Sequence, residues 1–93
     1  MKLQNAHAGT LESGDVLISI SPAETEGLDI TLDSTVAYQF GEQIKNVIRT
    51  TAEELGLTSA CIHAIDKGAL DCTIKARTTA AVVRATGIDV WKD

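Results

Sequence analysis

Residues 9–20, GTLESGDVLISI, decide what kind of fold this chain adopts. Val16, Ile18 and Ile20 alternate with other residues, which places all three on one face of a β-strand. Ahead of them Glu12, Ser13, Gly14 and Asp15 read as a hairpin turn, with Gly14 supplying the positive φ that such turns often need. The residues from Ala6 to Leu11 then form the strand that enters the turn. A hairpin of this kind presents the Ser13 hydroxyl at an exposed tip.

Working outward, Pro22 stops the second strand, and Glu24 to Gly27 reads as a solvated connection before Leu28, Ile30 and Leu32 resume alternation in a third. Asp33 and Ser34 offer N-cap oxygens to a helix whose apolar stripe is Phe40, Ile44, Val47, Ile48, Thr51 and Leu55. Gly56 stands where a helix-ending glycine belongs. Ala60 to Ile65 follows as a short strand, and Asp66, Lys67 and Gly68 mark a turn. In the last segment Leu70, Cys72 and Ile74 could alternate as a strand, whereas the Ala-rich run from Lys75 to Ala85 favours a helix. We read a helix from about Leu70 to Thr86, supported by Asp71 and Lys75 at i,i+4 and ended by Gly87, with residues 88–93 as a C-terminal tail. The expected fold is α+β: a four-stranded, mostly antiparallel sheet with two helices packed on one face, and not a four-helix bundle.

The chain has 93 residues, 13 acidic and 8 basic, with a net charge of −5. That length suits one domain with a modest core. Without a run of Lys or Arg it lacks the electrostatic footprint of a nucleic-acid binder, and Tyr38, Phe40 and Trp91 are too few for base stacking. No apolar stretch approaches the roughly 20 residues that span a bilayer, and the N-terminus lacks a secretory pattern, so a cytoplasmic protein with no membrane partner is expected. Cys61 and Cys72 form no disulfide framework and read as reduced thiols packed as small apolar side chains.

Metal binding has little support, because His7 and His63 lie far apart in sequence and neither stands in a ligand spacing. His63 reads as a partly buried strand residue and His7 as a surface one. Ser13 lacks the G-x-S-x-G elbow of a hydrolase, and the chain lacks a P-loop or a G-x-G-x-x-G, so no catalytic residue is assigned. Asp15 is expected to satisfy backbone donors in the turn, while Glu12 faces water. Lys67, Lys75, Arg77 and Arg84 line a solvated helix face or contact a phosphate-rich cofactor or partner; the residues leave both readings open.

Three segments, GTLESGDV at 9–16, YQFGEQIKNVI at 38–48 and DKGALDCTIKAR at 66–77, together resemble the citrate lyase acyl carrier proteins, the gamma subunits of bacterial citrate lyase. The S-G-D turn is shared with the similar malonate decarboxylase carrier subunit. DKGALDC and the Q-F-G of the long helix are more specific to the citrate lyase type. The resemblance implies that residues 1–93 form a single acyl-carrier domain in which Ser13 holds 2′-(5″-phosphoribosyl)-3′-dephospho-CoA through a phosphodiester. It further implies that the arm's thiol carries acetyl and citryl groups between the alpha (CoA-transferase) and beta (citryl lyase) subunits while citrate is cleaved to acetate and oxaloacetate. A prosthetic-group transferase would load the arm, and the domain itself would have no autonomous activity. The alternatives are a malonate decarboxylase carrier subunit and an unmodified α+β protein-interaction module.

Overall fold

Alternation along Val16–Ser21 turns Val16, Ile18 and Ile20 inward and leaves each at most 2% exposed. The computed structural model describes residues 3–34 and 37–87. Within them the order is β1 (Ala6–Ala8), β2 (Val16–Ser21), β3 (Gly27–Ser34), α1 (Ala37–Glu54), β4 (Ser59–Asp66) and α2 (Asp71–Thr86). The strands form one sheet in the order β1-β2-β4-β3. β1 with β2, and β2 with β4, run antiparallel; β3 and β4 run parallel, as a strand pair joined by a crossover helix must. The sheet is thus mostly antiparallel and both helices lie on the same face, α1 over β3 and α2 over β1 and β2.

Between the sheet and the helices lie Ile18, Ile20, Ile30, Ile62, Ile44, Ile48, Ile74 and Val82, all buried. Burying each such side chain stabilises the fold by about 1.5–3 kcal/mol. Alanines fill the tighter contacts: Ala60 and Ala64 on the central strand, Ala52 on α1, and Ala81 and Ala85 on α2 are fully buried. Both helices end on left-handed glycines, Gly56 at φ +86° and Gly87 at φ +76°. The Gly87 N–H donates to the Val83 carbonyl at 2.8 Å, closing the last turn of α2.

Several expectations are corrected. β1 stops at Ala8 instead of running to Leu11, because the chain turns at Gly9, which adopts φ +103°. Asp33 and Ser34 belong to β3, and the Ser34 hydroxyl donates to Asp66 Oδ2 at 2.8 Å; the expected cap falls on the entry to α1 at 35–36, outside the described residues. Asp71 accepts from Gln43 Nε2 at 2.9 Å, tying the start of α2 to α1 in place of the expected pairing with Lys75. Phe40, at one end of the α1 stripe, is 49% exposed. Cys61 is half-buried and Cys72 exposed, so only the first is packed; both are free thiols. His63 is exposed on the uncovered face of the sheet, since its neighbours Ile62 and Ala64 take the inward positions. The tail at 88–93 lies outside the described residues.

Among the described residues one buried side-chain polar atom has no partner. Thr78 sits on the inner face of α2 with no exposure, and its hydroxyl makes no hydrogen bond among the described residues. A buried hydroxyl without a partner costs about 1–3 kcal/mol. Thr78→Val keeps the shape and removes the hydroxyl, so we expect it to raise stability by about 1 kcal/mol, roughly 4–8 °C in Tm. Thermal and urea unfolding of the two proteins check this, and an unchanged or lower midpoint would contradict it.

Candidate functional site

The segment from Gly9 to Asp15 joins β1 to β2 at one end of the sheet. At its apex the Asp15 N–H donates to the Glu12 carbonyl at 3.0 Å, closing a four-residue turn with Ser13 and Gly14 at its centre. Gly14 has φ +84°, the positive value that a type II turn demands at its third position. The expected turn residues are therefore the observed ones. A Cβ placed on Gly14 would meet nothing within 4 Å, so the space beside Ser13 is open.

Two sets of contacts hold this turn. Backbone pairing continues past β2 and β4: the Gly14 N–H donates to the Lys67 carbonyl at 2.7 Å, and the Lys67 N–H to the Asp15 carbonyl at 2.9 Å. The second set converges on the Asp15 carboxylate. Oδ1 accepts from the Val16 N–H at 2.7 Å and from Arg77 Nε at 3.0 Å, while Oδ2 accepts from the Thr10 hydroxyl at 2.7 Å and from Arg77 Nη2 at 2.9 Å. The Thr10 oxygen in turn receives the Glu12 N–H at 3.2 Å. A fork-to-carboxylate pair of this geometry fixes orientation as well as charge.

Arg77 hydrogen bonding, followed by the bonds from Thr10 and the Val16 N–H, holds the Asp15 carboxyl down at about 2, against an ordinary value of 3.8. Because the folded value lies below the unfolded one, the ionised carboxylate stabilises the fold fully above about pH 4, and that contribution is lost as pH falls toward 2. Asp15→Asn should lower stability at neutral pH by about 1 kcal/mol, a modest figure because Arg77 stays half in water. The same variant should flatten the acid slope between pH 4 and 2. Urea midpoints across that window test both points, and an acid slope matching the parent's would show that the pair contributes nothing.

Ser13 is exposed, and its hydroxyl makes no hydrogen bond among the described residues. Among the described residues no base is joined to it in the way an autonomous nucleophile requires. It is an accessible primary alcohol on a braced turn, a group suited to being modified by another enzyme. Glu12 faces water, as expected. The four basic residues divide: Arg77 is engaged with Asp15, Arg84 donates to the His7 carbonyl at 2.8 Å and so ties α2 to β1, and Lys67 and Lys75 are exposed. The structure also brings His7 and His63 onto the same uncovered sheet face, with Ser19 between them in register. Among the described residues no three His, Cys, Asp or Glu side chains converge as metal ligands, and no helix is long and apolar enough to cross a membrane.

Comparison with known proteins bears on this turn. The family model described as the malonate decarboxylase delta subunit (MdcD), an acyl carrier family, matches residues 3–85. The citrate lyase acyl carrier protein of Streptococcus mutans is 49% identical over 92 residues, covering 97% of this chain and 90% of the relative. That of Streptococcus equi subsp. equi is 54% identical over the same shares. The chain belongs to the citrate lyase acyl carrier protein family. A solved homoserine kinase from Cytophaga hutchinsonii superposes with a TM-score of 0.46 at 16% identity, covering 87% of this chain and 32% of the kinase, a likeness too slight to carry any argument. Membership of an acyl carrier family implies a covalently attached prosthetic group. The fold departs from a helical bundle, since two helices lie on a four-stranded sheet, and the turn that holds the exposed Ser13 is braced by Arg77 of α2, 62 residues beyond Asp15.

Sequence reasoning missed two parts of the site. The Thr10 and Arg77 contacts to Asp15 join residues with no shared periodicity, and only the arginine's place in an open list of cations hinted at them. Gly9 carried a legible signal, a glycine inside an apparent strand.

Proposed function

We propose that this chain is the acyl carrier subunit of a cytoplasmic bacterial citrate lyase and that Ser13 is the attachment site of 2′-(5″-phosphoribosyl)-3′-dephospho-CoA. The observation that carries the assignment is the exposed Ser13 hydroxyl, without a hydrogen bond among the described residues, at the apex of a turn fixed by Asp15 and Arg77. When bound, the group supplies a thiol whose thioester activates the acyl fragment for exchange and cleavage. The chain's own residues present and hold. Gly14 leaves room for a transferase active site to close on the serine, and the Asp15 clamp keeps the turn from folding back. The domain then acts as a tether that keeps the acyl group at high local concentration near the active sites of the alpha and beta subunits.

Intact mass of the protein purified from its own source, followed by peptide mapping across Gly9 to Ile20, tests the reading. A mass increase equal to the phosphoribosyl-dephospho-CoA group on Ser13 supports it; an unmodified Ser13 in an active native complex overturns it. A second reading, the malonate decarboxylase carrier, is favoured by the description of the matching family model. The full-length similarity near 50% to citrate lyase carriers weighs against it. Reconstitution with each set of partner subunits separates the two, since only one set should turn over.

A further inference from the structure

Three large hydrophobic side chains are exposed among the described residues: Leu11 at 56%, Phe40 at 49% and Leu70 at 71%. Leu11 lies in the Ser13 loop itself. The other two flank one groove of about 380 Å³ between the start of α1 and the start of α2, with Ile44, Gly68 and Ala69 along it. Gln43 and Asp71, hydrogen-bonded to each other at 2.9 Å, supply its polar groups. Its volume falls within the range of small-molecule sites.

The Ser13 turn is linked to the groove wall through the backbone. Lys67, which exchanges backbone hydrogen bonds with Gly14 and Asp15, immediately precedes Gly68 on the groove wall. The buried Asp66 fixes that connection, accepting the Ala69 N–H on Oδ1 at 2.9 Å and the Ser34 hydroxyl on Oδ2 at 2.8 Å. Cations belong to the same stretch: the backbone of the exposed Lys67 stands between turn and groove, and Arg77 keeps Nη1 outside its two bonds to Asp15.

We propose that the groove between Phe40 and Leu70 is the resting site of the arm's adenosine, an inference that rests on Ser13 being the attachment residue. Moving out from Ser13, the arm would present its anionic phosphoribosyl group first, then the planar base, then the diphosphate and the flexible thiol-bearing chain. Anion beside Lys67, then base between an aromatic ring and an aliphatic side chain, matches the order in which the protein offers cation and apolar slot. Docking the nucleoside would leave only the distal chain free and would shorten the tether that samples the partner active sites.

The experiment compares apo and fully loaded carrier by heteronuclear NMR, with loading verified by mass in the same samples. The expected result is a shift of the Gly68 to Asp71 amides and the Gln43 side-chain amide on loading, with nuclear Overhauser contacts from the adenine protons to the Phe40 ring. Leu70→Ala should abolish those contacts, and Phe40→Ala should abolish the amide shifts at Gly68 to Asp71, while the loaded mass on Ser13 is unchanged; both positions are exposed. Loaded protein with neither shifts nor contacts overturns the resting site and leaves the attachment reading standing. Shifts that grow with protein concentration, or that need an added partner subunit, also overturn it by naming another occupant. A native complex in which Ser13 carries no arm overturns both, and the mass tells that case apart.

Discussion

Ser13→Ala should fold like the parent, take up no prosthetic group and leave the reconstituted complex without turnover. The fold is indifferent because the side chain is exposed and, among the described residues, its hydroxyl bonds to nothing and no residue other than glycine has a positive φ. Alanine therefore meets neither a lost contact nor backbone strain, and stability should move by no more than about 0.5 kcal/mol. The chemical loss should be complete, since a methyl group cannot accept a phosphodiester. Intact mass after incubation with the transferase, unfolding by urea, and citrate cleavage by the assembled complex give three separate readouts. Full turnover by the mutant complex would remove Ser13 from the mechanism; an unstable mutant would show that the turn has a structural role the contacts do not reveal.

Much of the fold was legible because periodicity reports burial. Val16, Ile18 and Ile20 could only be a strand with one face inward, and Ile44, Ile48 and Thr51 could only share one side of a helix; all six are buried. Sheet order was not legible. That β4 inserts between β2 and β3, pairing parallel with the latter, depends on how the α1 crossover packs and not on any local pattern. The end of α1 stripe failed for a related reason. Phe40 has helical spacing, yet it lies at the end of the layer, where the structure leaves a groove instead of a covering element.

The site divides in the same way. The S-G-D turn is a local structure, and Gly14 makes it legible. Its bracing is tertiary: Arg77 reaches Asp15 because α2 packs over β2, a fact no spacing encodes. Asp66 illustrates the limit most clearly. It reads as a turn residue, but it is 1% exposed and organises both the end of β3 and the entry to α2 through two accepted hydrogen bonds.

Gly9→Ala should damage the protein more than any surface change in the same loop. A Cβ at Gly9 would lie 1.8 Å from the Val16 carbonyl oxygen, 2.9 Å from its carbon and 3.2 Å from the Leu17 Cα. All three are backbone atoms of β2, so no side-chain rotation relieves the overlap, and the first two strands must separate. The φ of +103° adds strain that an L side chain does not tolerate. We expect a loss of at least about 3 kcal/mol, a large part of the total stability of a domain this size. Gly14→Ala is the matched control: φ is again positive, but nothing stands within 4 Å, so only the conformational strain remains, about 1 kcal/mol. The difference between the two midpoints isolates the close approach of β1 to β2. Gly9→Ala should also slow loading of Ser13, because displacing Gly9 moves Thr10, whose hydroxyl bonds Asp15 at 2.7 Å. Equal losses at the two glycines would show that the loop relaxes around the new methyl group and that the Thr10–Asp15–Arg77 clamp, not the tight passage at Gly9, sets the position of the serine.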